Sequence, residues 1–178
     1  MTIAPTRLPV DPDTFRRIMS ALAGGVAVVT TVDEDGEPRG LTSTAVTAVS
    51  LEPPLLLACV GRFSRTLPAI RYSGRFTVNL IESEAAPVAV RFASKDDDKF
   101  ADAVWRPGRN GCPVLHGHAI AWAECRVERE VEAGDHVIFI GAVEHGAAGG
   151  HEQAPLTYFR SRFGTWASIN PTDGGIAR

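Results

Sequence analysis

The sequence predicts a mainly β protein, folded as a closed or nearly closed antiparallel barrel with a few peripheral helices. Its 178 residues suit a single domain, and its 17 glycines and 12 prolines indicate many turns and little helix. Runs with strand character do not alternate regularly with helical segments, which disfavours a doubly wound parallel sheet. We expect one domain over residues 11–166, with loose arms at residues 1–10 and 167–178.

The first half of the chain is predicted to begin with an amphipathic helix. Asp11 is a good N-cap before Pro12, and apolar residues at helical spacing continue to Leu22, ahead of two glycines at 24–25 that end the helix. Gly36 can supply a positive φ in a hairpin turn, and Gly74 can end a short polar helix. The expected elements are strands at 26–32 and 55–60, an extended segment at 38–50, and a helix from about residue 64.

The second half of the chain is predicted to contain longer strands. A strand at 76–81 is followed by a helix at 84–94 and by a short helical turn that Asp96–Asp98 cap and that runs through Phe100. Two further strands form a hairpin, and a glycine-rich flexible loop precedes the last strand. The expected bounds are strands at 118–131, 136–143 and 156–160, a turn at 132–135, a loop at 146–150 and a frayed tail from residue 170, with about seven strands and three helices in all.

Composition and charge exclude several classes of protein. The net charge is −3 and the chain has no block of basic residues, so we expect no nucleic-acid partner. The longest apolar run, Leu55–Val60, is far below the roughly 20 residues that a membrane-spanning helix needs, so we expect no membrane segment. Three cysteines without a CxxC pair, and an N-terminus without signal-peptide character, predict a cytoplasmic protein.

The usual local motifs of catalysis and metal binding are missing from the sequence. It contains no GxGxxG after a strand, no P-loop, no GxSxG and no triad at a recognisable spacing. Cys112, His116 and His118 have a spacing that resembles a metal site, but no fourth ligand lies nearby in the chain. We therefore interpret these three residues as ordinary loop packing and predict no metal.

Three polar segments could contact a nucleotide, and each also has an ordinary structural explanation. The hydroxyl-rich segment at 39–45 could present donors to a flat heterocycle, or could be a Thr-rich edge strand. The segment at 62–66 opens a helix and could bind phosphate, although Ser64 could simply cap that helix. His136 follows Gly134 and Asp135 at a hairpin tip, where it could face a barrel mouth or solvent.

Taken in order, these segments resemble the flavin reductase-like family, the reductase components of two-component flavin-dependent monooxygenases. No single motif is decisive, but the ordered set covers roughly residues 11–166. The motifs that carry the resemblance are Gly24-Gly25-Val26, Gly40-Leu41-Thr42-Ser43-Thr44-Ala45, Glu52-Pro53-Pro54, Ser64-Arg65-Thr66, Ser73-Gly74-Arg75-Phe76, Arg91-Phe92-Ala93, Lys99-Phe100, Gly134-Asp135-His136 and Pro155-Leu156-Thr157-Tyr158-Phe159-Arg160.

The resemblance implies a flavin-binding split β-barrel that forms a homodimer. It implies an enzyme that moves hydride from a nicotinamide nucleotide to FMN or FAD and supplies reduced flavin to a partner monooxygenase. By position, it assigns Thr42, Ser43, Thr44, Ala45 and Ser50 to the isoalloxazine, Val60, Ser64 and Thr66 to the ribityl chain and phosphate, Phe92, Ala93, Ser94 and Lys99 to the phosphate or adenylate end, and His136, Tyr158 and Arg160 to the nicotinamide pocket.

Two other functions on related barrels are alternatives to flavin reduction. A non-catalytic flavin- or haem-binding protein would not need the second nucleotide pocket that His136, Tyr158 and Arg160 imply. A phosphate-ester oxidase of the pyridoxamine type would need a dense pocket of basic residues, which the sequence does not indicate. The choice between FMN and FAD stays open, whereas NADH is favoured over NADPH because no arginine cluster is available for a 2′-phosphate.

Overall fold

The computed structural model describes residues 10–96, 98–149 and 153–166, and their structure is mainly β. Short helices lie between strands that pair in antiparallel fashion throughout. In chain order the elements are α1 (Pro12–Ser20), β1 (Gly24–Gly25), β2 (Ala27–Val32), β3 (Pro38–Ser43), β4 (Val46–Ser50), β5 (Leu55–Gly61), α2 (Thr66–Ser73), β6 (Arg75–Ile81), a 3₁₀ turn (Ser83–Ala85), α3 (Ala86–Ala93), β7 (Arg106–Pro107), β8 (Pro113–Val114), β9 (Ala119–Ala133), β10 (His136–Ala148), β11 (Leu156–Phe159) and β12 (Arg162–Thr165).

The main sheet has seven strands in the order β3-β2-β6-β9-β10-β5-β4. Its two edge strands, β3 and β4, are consecutive in the chain and are separated only by Thr44 and Ala45. The sheet therefore curls until its edges meet, and β3 contacts β5 as well as its own partner β2. This arrangement confirms the antiparallel barrel that the sequence predicts.

The core lies on both faces of β2. Because successive side chains of a strand point to opposite faces, Val29 packs inside the barrel while Val28 packs against the outer helices. The inner cluster is centred on Phe76 and Phe139, and the outer cluster on Phe92 of α3, all of them buried. The outer cluster fixes α3 against the barrel beside β3.

Helix α1 begins as predicted and ends earlier than predicted. The Asp11 carboxylate accepts hydrogen bonds from the backbone N–H groups of Asp13 and Thr14, at 3.0 and 2.9 Å, which caps the first turn. The helix stops at Ser20, and the two glycines expected to end it form strand β1 against β11. No residue of α1 is buried, so its apolar face points to solvent.

The structure corrects the sequence prediction most clearly in the hairpin of β9 and β10. The predicted flexible loop at 146–150 is strand as far as Ala148, where β10 still pairs with β9. A side chain at Gly146 would come within 2.5 Å of the Trp122 carbonyl oxygen, so the close approach of the paired strand explains this glycine. Strand β12 was not predicted at all, since four exposed residues give no hydrophobic signal.

Three further expectations concern a helical turn, the two ends of the chain and membrane-spanning segments. Residues 99–102 form turns and no helix, so the predicted helical turn through Phe100 is wrong in its described part, and residue 97 lies outside the described residues. The arms at residues 1–9 and 167–178, and the tail from residue 170, lie outside the described residues. Among the residues that the structure describes, no helix is long and apolar enough to cross a membrane.

Candidate functional site

A cavity of about 460 Å³ opens between β3, the start of α2 and the segment that follows α3. Seven of the residues that the resemblance assigns to flavin binding line it: Thr42, Ser64, Thr66, Phe92, Ala93, Ser94 and Lys99. These residues are separated by up to 57 positions in the chain, and the barrel brings them together. The phosphate and adenylate parts of the predicted site therefore form one cavity.

The β5–α2 turn builds the polar end of this cavity. The Ser64 amide donates to the Gly61 carbonyl oxygen at 2.9 Å, which closes the turn, and α2 begins two residues later. The Ser64 hydroxyl accepts a hydrogen bond of 3.2 Å from the Thr66 amide, whereas the N-cap position itself is Arg65, whose side chain makes no capping hydrogen bond. The proton of the Ser64 hydroxyl is still available to a ligand, and the helix N-terminus favours an anion.

Lys99 contributes a cationic side chain to the cavity. Its ammonium donates to the carbonyl oxygens of Phe92 at 2.9 Å and of Gly40 at 3.3 Å. Burial lowers the pKa of Lys99, and the nearby positive charge of Arg65 lowers it further, while Asp96 acts in the opposite direction. Arg65 and Lys99 are therefore close enough to repel one another. Together with the helix N-terminus and the hydroxyl groups, these two cations form a suitable site for a phosphate group.

The apolar wall of the cavity depends on a glycine. A Cβ placed at Gly40 would lie 2.7 Å from the ring of Phe92, so only glycine lets β3 approach α3 this closely. Phe92 in turn makes an edge contact with Phe100, with ring centroids 4.8 Å apart. The Thr42 hydroxyl donates to the Ala89 carbonyl oxygen at 2.6 Å and so ties the same two elements together.

Five predicted residues of the flavin site do not line this cavity. Ser43 ends β3, and Thr44 and Ala45, which connect β3 to β4, are exposed. The Ser43 hydroxyl accepts from the Ala45 amide at 3.0 Å and shapes the connection to β4, which carries Ser50 at its end. Val60 is completely buried in the inner core.

His136 does not line the cavity and lies at the tip of the β9–β10 hairpin. It opposes Gly61 across the sheet, and the Asp135 carbonyl oxygen accepts a hydrogen bond of 3.0 Å from the Arg62 amide. The hairpin tip therefore packs against the same turn that carries Ser64. Nδ1 of His136 is 2.8 Å from the Asp135 carboxylate, and the hydrogen bond from this imidazole lowers the pKa of Asp135.

Tyr158 and Arg160 lie outside the cavity that Ser64 and Lys99 line. Tyr158 pairs with Gly24 in the small sheet, and the Arg160 amide donates to the Ser20 carbonyl oxygen at 3.0 Å, next to α1. Arg160 lines a different cavity, of about 610 Å³, together with Phe163. Within the described parts of this chain, these two residues are not brought into the cavity that contains Lys99.

Nine of the residues that line the cavity were not among the predicted site residues, and Arg39, Phe63 and Arg65 belong to these nine. Phe63 is 98% exposed at the edge of the cavity, which is unusual for so large an apolar side chain. Arg65 lies inside the predicted phosphate segment at 62–66, between its two hydroxyl residues, but it was not assigned a role of its own. Arg39 gave no separate signal, since its position depends on an ion pair with Asp33 at 2.7 Å.

Comparisons with known proteins identify the family of the chain. The family model described as "Flavin reductase like domain" matches residues 19–167. A protein of Kitasatospora aureofaciens named "Flavin reductase (NADH)" is 47% identical over 158 residues, which are 88% of this chain and 83% of that protein.

Two solved structures are also similar. Nitrilotriacetate monooxygenase component B from Mycobacterium thermoresistibile has a TM-score of 0.84 at 35% identity, with 93% of this chain and 90% of that chain covered. The NADH:FAD oxidoreductase SgcE6 of Streptomyces globisporus, in complex with NAD and FAD fragments, has a TM-score of 0.82 at 32% identity. In that comparison 96% of this chain and 100% of the other are covered.

Proposed function

The chain belongs to the flavin reductase-like family, and from this premise we propose that it is an NAD(P)H:flavin oxidoreductase. It removes a hydride from a nicotinamide nucleotide and transfers it to FMN or FAD, which also takes up one proton from solvent. The reduced flavin is then supplied to a monooxygenase. The observation that carries the proposal is the cavity in which Ser64, Thr66 and Lys99 meet on one edge of the barrel. The similarity to a monooxygenase component supports the type of partner.

The residues of the chain hold and orient the reactants, whereas the bound flavin supplies the ring that accepts hydride. Ser64, Thr66 and the N-terminus of α2 would bind the flavin phosphate, with Arg65 and Lys99 balancing its charge. The segment from Thr42 to Ala45, with Ser50 on the same side, would contact the ring. Strand β3 is at an edge of the sheet, so alternate N–H groups stay outside the ladder and could stabilise developing negative charge.

His136 would position the nicotinamide instead of transferring a proton. Hydride transfer needs the two rings in contact and requires no strong general base, which agrees with the lack of a triad motif in the sequence. The imidazole is 51% exposed and is held by Asp135, so it can contact a nucleotide that arrives from solvent. Tyr158 and Arg160 would complete that pocket only through a rearrangement or through a second subunit.

We also propose that the protein is a homodimer in the cytoplasm, with residues 11–166 as one domain. The apolar stripe of α1 is exposed, which an isolated soluble barrel would not favour. Its members are Phe15, Ile18, Met19 and Leu22, from 44% to 66% exposed. Light scattering should give the mass of a dimer, and Ile18→Glu should give a monomer; a monomeric parent protein would contradict this proposal.

The enzymatic proposal is tested by steady-state oxidation of NADH and NADPH with FMN, FAD and riboflavin in turn. We expect oxidation only when a flavin is present, with NADH the better donor, and bleaching of the flavin absorbance when oxygen is removed. Heat-denatured protein is the control for non-enzymatic reduction. Flavin binding without any acceleration of NADH loss would instead favour the non-catalytic alternative.

A further inference from the structure

A second cavity, of about 650 Å³, adjoins the first along the outer surface of α2. Arg39 and Arg65 line both cavities, so their side chains form the boundary between them. The rest of the second cavity consists of the β2–β3 turn on one side and α2 on the other: Asp33, Glu34, Pro68, Ala69 and Tyr72. A ligand longer than the first cavity could therefore continue past the two arginines.

The residues at the boundary between the two cavities could bind an anion with more than one phosphate. The Asp33 carboxylate accepts hydrogen bonds from the Arg39 side chain at 2.7 Å and from the Glu37 amide at 2.9 Å, so this guanidinium is held in place by the turn. On the other side, the charge of Arg65 lowers the pKa of Lys99. Arg39 and Arg65 thus stand at the boundary and Lys99 lies on the side of the first cavity, so a pyrophosphate there would contact the two guanidinium groups and offset the repulsion between Arg65 and Lys99.

The second cavity offers a flat apolar surface and carboxylates. Tyr72 is 66% exposed, and it is four residues from Pro68 and three from Ala69, so these three side chains share one face of α2. An aromatic ring beside small apolar groups is suited to stacking with a purine. Glu34 lies at the opposite side, where a carboxylate can accept hydrogen bonds from ribose hydroxyls and would repel an additional phosphate.

We propose that this second cavity binds the adenosine of FAD, with the pyrophosphate between Arg39 and Arg65, and that the protein therefore prefers FAD to FMN. This inference rests on the proposed function. A nicotinamide nucleotide carries the same adenosine group. The cavity is assigned to FAD because it opens directly from the phosphate end of the flavin cavity and shares both arginines with it.

The test measures dissociation constants for FAD and FMN in the absence of nicotinamide nucleotide, by quenching of flavin fluorescence. The parent protein should bind FAD at least about tenfold more tightly than FMN. Tyr72→Ala should weaken FAD at least about fivefold and leave FMN within about twofold, because only FAD can stack on this ring. Tyr72→Phe is the matched control, since it keeps the ring and should restore the affinity for FAD.

Equal affinities of the parent protein for FAD and FMN would overturn the inference, as would a Tyr72→Ala protein whose affinity for FAD is unchanged. A higher KM for NADH in Tyr72→Ala, measured with FMN as acceptor and with the affinity for FAD unchanged, would assign the cavity to the nicotinamide nucleotide and would also overturn it. Failure of the proposed function is seen separately, as flavin binding that retains the FAD preference without NADH oxidation.

Discussion

The ammonium of Lys99 lies 2.9 Å from the carbonyl oxygen of Phe92, near the C-terminal end of α3. The same group is 3.3 Å from the Gly40 carbonyl oxygen on β3, so one side chain links two walls of the cavity that we assign to flavin. A helix C-terminus favours a cation, which explains how a partly buried lysine is held there. Lys99 can therefore both stabilise the wall and attract an anionic ligand.

Replacing Lys99 by methionine should weaken FMN binding severalfold at low ionic strength and less at high ionic strength, because salt screens the lost charge. Riboflavin, which has no phosphate, should bind almost as before. The pKa of Lys99 is lowered, so its charge is lost at a lower pH than that of an ordinary lysine. FMN affinity of the parent should therefore decline early on the alkaline side, and Lys99→Met should flatten that decline; parallel pH profiles for both proteins would contradict this.

The double change Ser64→Ala/Thr66→Ala should reduce FMN affinity at least tenfold, since each lost hydrogen bond to a charged group is worth about 1.5–3 kcal/mol. Riboflavin should respond only to the altered turn. If Ser64 acts only by accepting the hydrogen bond from the Thr66 amide at the start of α2, the free energy of unfolding falls by about 1 kcal/mol and the ratio of the two affinities does not change. Titration of both ligands into parent and variant distinguishes these outcomes.

Gly40→Ala should lower the free energy of unfolding by about 1–3 kcal/mol, because the new methyl group would overlap the ring of Phe92. Flavin binding should weaken as well, since Phe92 forms part of the cavity wall. Gly25→Ala is the matched control: it also lies in a strand, and nothing is within 4 Å of its added Cβ. Urea denaturation of both variants measures the difference, and equal stabilities would show that the wall tolerates a side chain.

His136→Ala should raise the KM for NADH severalfold while the flavin dissociation constant stays the same. The reason is the position of His136 at the hairpin tip, next to the turn that carries Ser64, to which we assign the phosphate. His145→Ala provides a control on the same strand, where the histidine is also exposed. Unchanged kinetics in the His136 variant would mean that this histidine is an ordinary turn residue.

Cys112 and Cys125 should resist alkylation in the folded protein even at mildly alkaline pH. Burial raises the pKa of Cys112 to about 11 and that of Cys125 to about 12, so almost no thiolate is present. Cys59, which is partly exposed and whose pKa is also raised by burial, should react slowly. Mass spectrometry after iodoacetamide treatment should find one slowly modified cysteine in the native state and three in urea; rapid labelling of Cys112 or Cys125 would contradict their burial.

Local sequence signals determined many of the elements. The Asp11 cap, the hairpin turn with Gly36 at φ +80° and the helix end with Gly74 at φ +66° all occur as predicted. These features depend on one residue and its immediate neighbours, so the sequence alone is sufficient to locate them. The order of motifs also indicated the family, whereas its assignment of Ser64, Thr66 and Lys99 to the phosphate stays a prediction.

Only the tertiary structure decided which of these residues meet. Lys99 reaches Gly40 because the outer core positions α3 against β3, and that packing involves residues far apart in the chain. Strand pairing likewise overrode the weak strand preference of Gly146, and it left the apolar face of α1 exposed. Sequence patterns report the preferences of a few neighbouring residues, whereas strand register and core packing are set by contacts between distant segments. For this reason the sequence could not predict the second cavity beside Arg39 and Arg65.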